Sequence, residues 1–400
     1  MREPVIVATA RSPIGRAFKG KLKDVRGDDM VAAMITAALD RVPALDHDLV
    51  EDVIIGTGSP QNEQAYNIAR VASLLAGLPD VPGVTVNRYC SSSLQAIRMA
   101  AHAVAAGEGD AFVAGGVESV SRYPQRIPDP DGFENPRFDP SRHRSAERAL
   151  GGVEDWEPQE LPDAYVEMGQ TAENVRILEG VTREEMDAFA LASQQRAADA
   201  IEDGFFAREI TPLTLADGTV VDTDESPRPA TTAEGLAGLK PAFRPDGEVT
   251  AGNSCPLNDG AAAVVVMDRS RAERIGITPL ARIVSTAVTG VDPEIMGLGP
   301  VTAIPRALRR AGLTVADLDL VEINEAFAAQ VIPSARRLGI PHDVLNVHGG
   351  AIALGHPFGM TGARMTTTLI NGLDRVGGRY GVVSMCVGGG QGMAMVLERL

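Results

Sequence analysis

The sequence predicts an α/β fold built from two similar halves, with mixed sheets covered by helices and a lid inserted in the first half. Short β-like runs alternate with longer helical ones: Val53–Ile55, Val84–Val86 and Ala111–Ala114 early, then Leu320–Ile323, Val344–Val347 and Gly381–Ser384 late. Alternation of this kind implies sheets with helices packed on them. The second observation is internal similarity. Ile55, Val86 and Val113 have counterparts in Ile323, Val347 and Val383, each about 260–270 positions later. A duplicated fold would set equivalent loops side by side and so bring Cys90 to Cys386. The third is a change of texture between about 121 and 250. Tyr123–Pro162 is rich in proline, arginine and acids and shows little periodicity, as expected of an excursion over the surface.

Individual elements follow from local signals. After Cys90, Leu94, Ile97, Ala101 and Val104 recur at spacings of three and four, predicting a helix that stops near Gly107. Its opening turn, Cys90–Ser93, presents free N–H groups beside a thiol. Thr182-Arg183-Glu184-Glu185 has the form of a capping box. It opens a helix whose Met186, Phe189, Ala190, Ser193, Ala197 and Ile201 share one face, ending at Gly204. The glycine run Gly388–Gly392 is followed by the strand-like Met393–Leu397. A dinucleotide fingerprint requires a helix there, so that reading is rejected.

The 400 residues carry a net charge of -16, which argues against a polyanion-binding surface for nucleic acid. One local basic patch for a small anionic ligand is still allowed. No apolar run approaches the ~20 residues that a membrane span needs. Met1–Pro4 runs directly into the strand-like Val5–Ala8, with no signal-like segment, and three cysteines provide no disulfide framework. A cytoplasmic protein without membrane insertion is expected.

Chemistry concentrates at turns. Cys90 lies between a strand and a helix, and Cys386 lies just after a strand, beside Gly388. A thiol at a helix N-terminus is expected to have a lowered pKa, and the thiolate is the nucleophile. His356, in Gly355-His356-Pro357, is flanked by residues that permit close backbone approach and fix direction. A histidine so held suits general base work near neutral pH. His348, eight residues earlier, reads as structural. Asn324, at the end of a strand, could orient a water or polarise a carbonyl. No metal-ligand spacing of His and Cys is present.

Together these segments resemble the thiolase family. Its hallmarks read here as Cys90-Ser91-Ser92, Asn324-Glu325-Ala326-Phe327, Gly355-His356-Pro357 and Cys386-Val387-Gly388. Ala114–Ser119, Met168–Asn174, Leu239–Phe243, Gly252–Ser254 with Leu257–Gly260, and Met296–Pro300 continue the pattern in order along nearly the whole chain. The resemblance implies mixed five-stranded sheets in an αβαβα arrangement. It sets the first half at 1–268, with the lid at about 121–250, and the second half at 277–400. It also implies a homodimer or homotetramer, acyl-CoA substrates, coenzyme A as co-substrate and no permanently bound cofactor.

Carried over by position, Cys90 is the acylated nucleophile, His356 its base, and Cys386 the group that moves the second proton. Asn324, through a water, and His356 stabilise the enolate, while the N–H groups of Cys90 and Gly388 hold the oxyanion. Coenzyme A contacts fall to Met168, Arg228, Ala242, Phe243, Cys255, Ala326 and Phe327. Ser93 stands where many members have glycine, and Cys255 where serine is common. The implied activity is thiolytic cleavage of 3-ketoacyl-CoA in fatty acid β-oxidation. The alternatives are an acetoacetyl-CoA thiolase that condenses two acetyl-CoA and, from another class, a non-catalytic acyl-CoA or lipid carrier on the same scaffold. A basic lid cluster (Arg137, Arg142, His143, Arg144 and Arg148) could meet coenzyme A phosphate or be solvated and paired with nearby acids such as Glu147 and Asp139.

Overall fold

The computed structural model describes residues 2–123, 134–151 and 156–400. Its strands are β1 (Pro4–Arg11), β2 (Gly15–Arg16), β3 (Val50–Gly56), β4 (Gly83–Val86), β5 (Ala111–Ser119), β6 (Leu213–Thr214), β7 (Val220–Val221), β8 (Asn258–Asp268), β9 (Ala281–Gly290), β10 (Leu320–Ile323), β11 (Tyr380–Val387) and β12 (Gln391–Arg399). The first half orders its strands β4-β3-β5-β8-β1, and the second β9-β12-β11-β10. In each half the pairs towards the outer edge are parallel (β3 with β4 and β5; β10 with β11) and the rest antiparallel. The halves join edge to edge at β1 and β9, through Val5–Arg282 and Ile6–Ala281.

Period-two alternation assigns each strand residue to one of two layers. On β8, Ala262, Val264 and Val266 face a central core, while Ala261, Ala263, Val265 and Met267 face outward. The central core is filled by helix Ser92–Ala106 (Leu94, Ile97, Ala101, Val104) and helix Thr361–Val376 (Met365, Leu369, Leu373). On its far side stand Val383, Met385, Met393 and Met395 of β11 and β12. Helix Gly27–Asp40 covers the outer face of the first sheet, and helix Gly299–Ala311 that of the second. The order is therefore helix, sheet, helix, sheet, helix. Such a stack forces the two central helices to lie against each other, and their N-termini meet. Ser93 Oγ accepts the Ala363 N–H at 2.9 Å, and the Ser93 N–H donates to the Gly359 carbonyl at 3.2 Å. Ser93 thus latches the two halves together.

Three local expectations change. Val344–Val347 makes one bridge, Leu345 with Val321, and no full strand. Asn346 turns away with φ 45°, and its side chain takes both backbone groups of Ile323 at 2.9 Å. The side-chain amide replaces the ladder that a strand would have continued. Within Tyr123–Pro162, the residues 134–151 include a helix, Asp139–Ala149, while 124–133 and 152–155 lie outside the described residues. Helix Arg183–Glu202 forms with its Thr182–Glu185 capping box, but Ile201 is exposed and Ala200 closes the buried face.

Candidate active site

The nucleophile candidate sits in the turn Tyr89–Ser91, immediately before helix Ser92–Ala106. Tyr89 has φ 44°, a left-handed conformation that costs free energy for a bulky residue. Hydrogen bonds hold it there: Tyr89 N–H to Asn87 Oδ1 at 2.7 Å, and Ser92 Oγ to the Tyr89 carbonyl at 2.7 Å. Arg88 donates to Gln391 Oε1 at 2.6 Å and so ties this turn to the second half. The Gly388 N–H reaches the Cys90 sulfur. Both central helices direct their N-termini here, a positive field suited to a thiolate or an oxyanion.

The expected lowering of the Cys90 pKa is nevertheless overturned. Burial pushes the thiol up to about 12, and the Gly388 N–H opposes this only in part. Desolvation of the charged form outweighs the favourable dipoles. Cys386, fully buried at the end of β11, is also pushed well up, chiefly by burial. Both groups rest as thiols, and each must lose its proton to a partner during reaction.

His356 supplies the acceptor. Gly355, with φ 104°, lets the backbone pass close to Asn258, whose Oδ1 would lie 2.5 Å from any added Cβ. That same Oδ1 accepts the His356 N–H at 3.0 Å. Nδ1 lies 2.6 Å from Thr361 Oγ1, and this hydroxyl donates to the Pro357 carbonyl at 2.8 Å. With its proton so committed, Oγ1 accepts from Nδ1–H, leaving Nε2 as the basic nitrogen. Nε2 is 3.2 Å from Asn324 Nδ2. Burial, and then the Arg364 charge, hold the imidazole down to about 3, so it is neutral in the resting state. Asn324 Oδ1 is buried and has no hydrogen-bond partner among the described residues, which leaves an acceptor for a water or ligand group.

Two hollows flank this constellation. One, of about 320 Å³, is lined by Cys90, Gly388, Met168, Tyr89, Tyr165 and Phe358 among others. The second, of about 250 Å³, includes Arg228, Thr231, Leu239 and Ser254. Arg228 is exposed, and its N–H donates to Gln194 Oε1 at 2.8 Å. The remaining predicted contacts form one wall. Phe243 packs edge-on against Phe327 at 5.8 Å and closely over the helix that begins at Met168, while Ala242 donates its N–H to Val249. Cys255 donates its N–H to the Ala326 carbonyl at 3.0 Å.

Sequence reasoning left three residues without a role. Thr361 and Asn258 orient His356. Glu118 is buried at the end of β5 and accepts from the N–H groups of Gly58, Ser59 and Gly359 at 2.7, 3.1 and 2.7 Å, and from Tyr123 Oη at 2.6 Å. One carboxylate thereby ties the Cys90 side to the His356 segment. His348 stacks on Phe205 at 3.7 Å, away from these groups, in keeping with a structural role. The basic cluster is largely spent internally. Arg148 is buried against Glu294 at 2.7 Å, Arg142 pairs with Glu134 and Asp139, and Arg144 donates to backbone carbonyls.

Comparison with known proteins follows the same lines. The family descriptions "Thiolase, N-terminal domain" and "Thiolase, C-terminal domain" match residues 4–270 and 277–399. The 3-ketoacyl-CoA thiolase of Bacillus subtilis (strain 168) is 46% identical over 411 residues, covering 100% of both chains. The 3-oxoadipyl-CoA/3-oxo-5,6-dehydrosuberyl-CoA thiolase of Escherichia coli (strain K12) is 46% identical over 412 residues, again with 100% coverage of both. Among solved structures, the Bacillus anthracis acetyl-CoA acetyltransferase superimposes with a TM-score of 0.88 at 41% identity, covering 100% of this chain and 99% of the other. Among the described residues no helix is long and apolar enough to cross a membrane.

Proposed function

The chain belongs to the thiolase family, and on that premise we propose how its residues divide the work of cleaving a 3-ketoacyl-CoA with coenzyme A. The protein is an acyltransferase of thiolase chemistry. The observation that carries the assignment is a neutral base, His356, whose Nδ1 is held by Thr361 and whose Nε2 lies beside Asn324.

In the first half-reaction Cys90 Sγ gives its proton to His356 Nε2 and attacks the keto carbon. The Cα–Cβ bond then breaks, leaving the acyl group on Cys90 and an enolate of acetyl-CoA. Cys386, resting as a thiol, supplies the proton that turns this enolate into acetyl-CoA. In the second half-reaction the Cys386 thiolate takes the proton of incoming coenzyme A, whose sulfur attacks the acyl-Cys90 carbonyl. Acyl-CoA leaves, and Cys90 recovers its proton from the His356 imidazolium. The Cys90 and Gly388 N–H groups hold the tetrahedral oxyanion, and each such donor is worth a factor of ~100–1,000 in rate. Asn324 and His356 face the enolate oxygen, with the open Asn324 Oδ1 supporting a water-mediated role. Division into two covalent steps gives ping-pong kinetics.

Met168, Phe243, Phe327, Ala326, Ala242 and Cys255 would line the pantetheine arm, and Arg228 would meet the nucleotide end. The protein would act in the cytoplasm as a homodimer or homotetramer, in fatty acid β-oxidation, with its halves at 1–268 and 277–400 and a lid at about 121–250. The direction that condenses two acetyl-CoA is a second reading, favoured by the structural likeness to an acetyl-CoA acetyltransferase. A carrier without catalysis would have no need of both thiols, the base and the amide together. The test is consumption of a 3-ketoacyl-CoA that depends on free coenzyme A and releases acetyl-CoA. A protein that binds the ester but does not cleave it would contradict the reading.

A further inference from the structure

The hollow beside Cys90 that would take the acyl group has apolar walls and one charge. Val166, Met168, Ala164 and Phe358 line it, with the rings of Tyr89 and Tyr165. Among the described lining residues, Glu134 alone carries a formal charge. Its position is set by its neighbours. The Asn135 N–H donates to Tyr165 Oη at 3.1 Å, and Phe138 packs edge-on against the Tyr165 ring at 5.4 Å. Glu134 therefore belongs to the wall that Tyr165 forms.

The nearby cation is shared between two carboxylates: Arg142 pairs with Glu134 and also with Asp139 at 3.3 Å. Arg122 is taken by Glu63, and Arg148 is buried against Glu294. An acyl chain ending in a carboxylate would enter a hollow whose one formal charge among the described lining residues is negative. A like charge brought close in a partly desolvated site is disfavoured, and no described arginine lining the hollow is available to receive it.

We propose that the acyl group this enzyme accepts ends without a negative charge, and that Glu134 is the residue that enforces the choice. The proposal rests on the thiolysis reading above and deepens it. It separates the chain from its E. coli relative, whose name specifies 3-oxoadipyl-CoA, an ester that ends in a carboxylate, although the two are 46% identical. Selection of this kind works by repelling the wrong substrate as much as by fitting the right one.

The test compares two six-carbon esters, 3-ketohexanoyl-CoA and 3-oxoadipyl-CoA, which differ only in the terminal carboxylate. The ratio of their kcat/KM values is measured with the full-length enzyme, Glu134→Gln and Glu134→Asp. The wild type is expected to prefer the neutral ester by about tenfold or more, equivalent to about 1.4 kcal/mol. Glu134→Gln should narrow that ratio several-fold, Glu134→Asp should keep it, and added salt should narrow it in the wild type. A wild type that prefers 3-oxoadipyl-CoA, a ratio unmoved by Glu134→Gln, or a wild-type ratio insensitive to salt would overturn the proposal. Failure of the wild type to cleave either ester would instead overturn the thiolysis reading beneath it.

Discussion

Replacing Thr361 by valine removes one hydroxyl and keeps the β-branched shape, so it tests the orientation of His356 with little change in packing. Nδ1 lies 2.6 Å from Oγ1, and the hydroxyl proton is committed to the Pro357 carbonyl at 2.8 Å. That carbonyl also accepts the N–H groups of Met360 and Thr361 at 3.1 Å each, so it is not orphaned by the change. The imidazole is. It must either keep a buried Nδ1–H without a partner, at a cost of about 1–3 kcal/mol, or move the proton to Nε2 and cease to be a base. At 1.36 kcal/mol per factor of ten, acylation should slow roughly 5- to 150-fold. The assay is single-turnover release of coenzyme A on mixing the enzyme with an acyl-CoA donor. Thr361→Ser retains the acceptor and should keep most of the rate. A valine variant that acylates within about twofold of wild type, or a serine variant as damaged as valine, would refute this account of the base.

The other predictions concern the charged and titrating groups. Arg228→Ala should raise the KM for coenzyme A and leave kcat nearly unchanged, because a nucleotide contact is uniform between ground and transition state; an unchanged KM would rule Arg228 out. Iodoacetamide should alkylate Cys90 more slowly in His356→Ala than in wild type, since the thiol rests protonated, and equal rates would remove His356 from that proton transfer. His356 is held down to about 3, against about 6.5 for an unfolded histidine, so the unfolded chain binds the extra proton. Its contribution to stability falls as pH drops from about 6.5 towards 3, by about 2 kcal/mol at pH 5. Urea unfolding of wild type and His356→Asn at pH 7 and pH 5 should differ by that amount, and identical pH slopes would contradict a buried neutral ring.

The alternation of strands and helices, and the turns that hold the four proposed reacting groups, were legible because their signals are local. Helix Ser92–Ala106 follows from its spacing of apolar residues and ends at Gly107 in the left-handed region, as its composition implies. Cys90, His356, Asn324 and Cys386 stand at turns and strand ends, where residue type and neighbouring glycine or proline already suggest exposure of backbone groups. What was hidden depends on residues distant in the chain. The Cys90 pKa is set by the walls that close around it, and no pattern near residue 90 encodes them. Glu118 sits in a strand where alternation predicts only burial, yet its value lies in N–H groups brought from 58, 59 and 359. Val344–Val347 has strand composition, but Asn346 can hydrogen-bond backbone through its side chain, and that competition is decided by where Ile323 lies.

The central claim is that Cys90 carries the acyl group. Incubating the wild-type enzyme with an acyl-CoA donor, quenching in acid and mapping the digest by mass spectrometry tests it most directly. The account predicts one acyl mass on the peptide containing Cys90, discharged when free coenzyme A is added before the quench. An acyl mass found only on the peptides of Cys386 or Cys255, or one on Cys90 that coenzyme A does not remove, would contradict it.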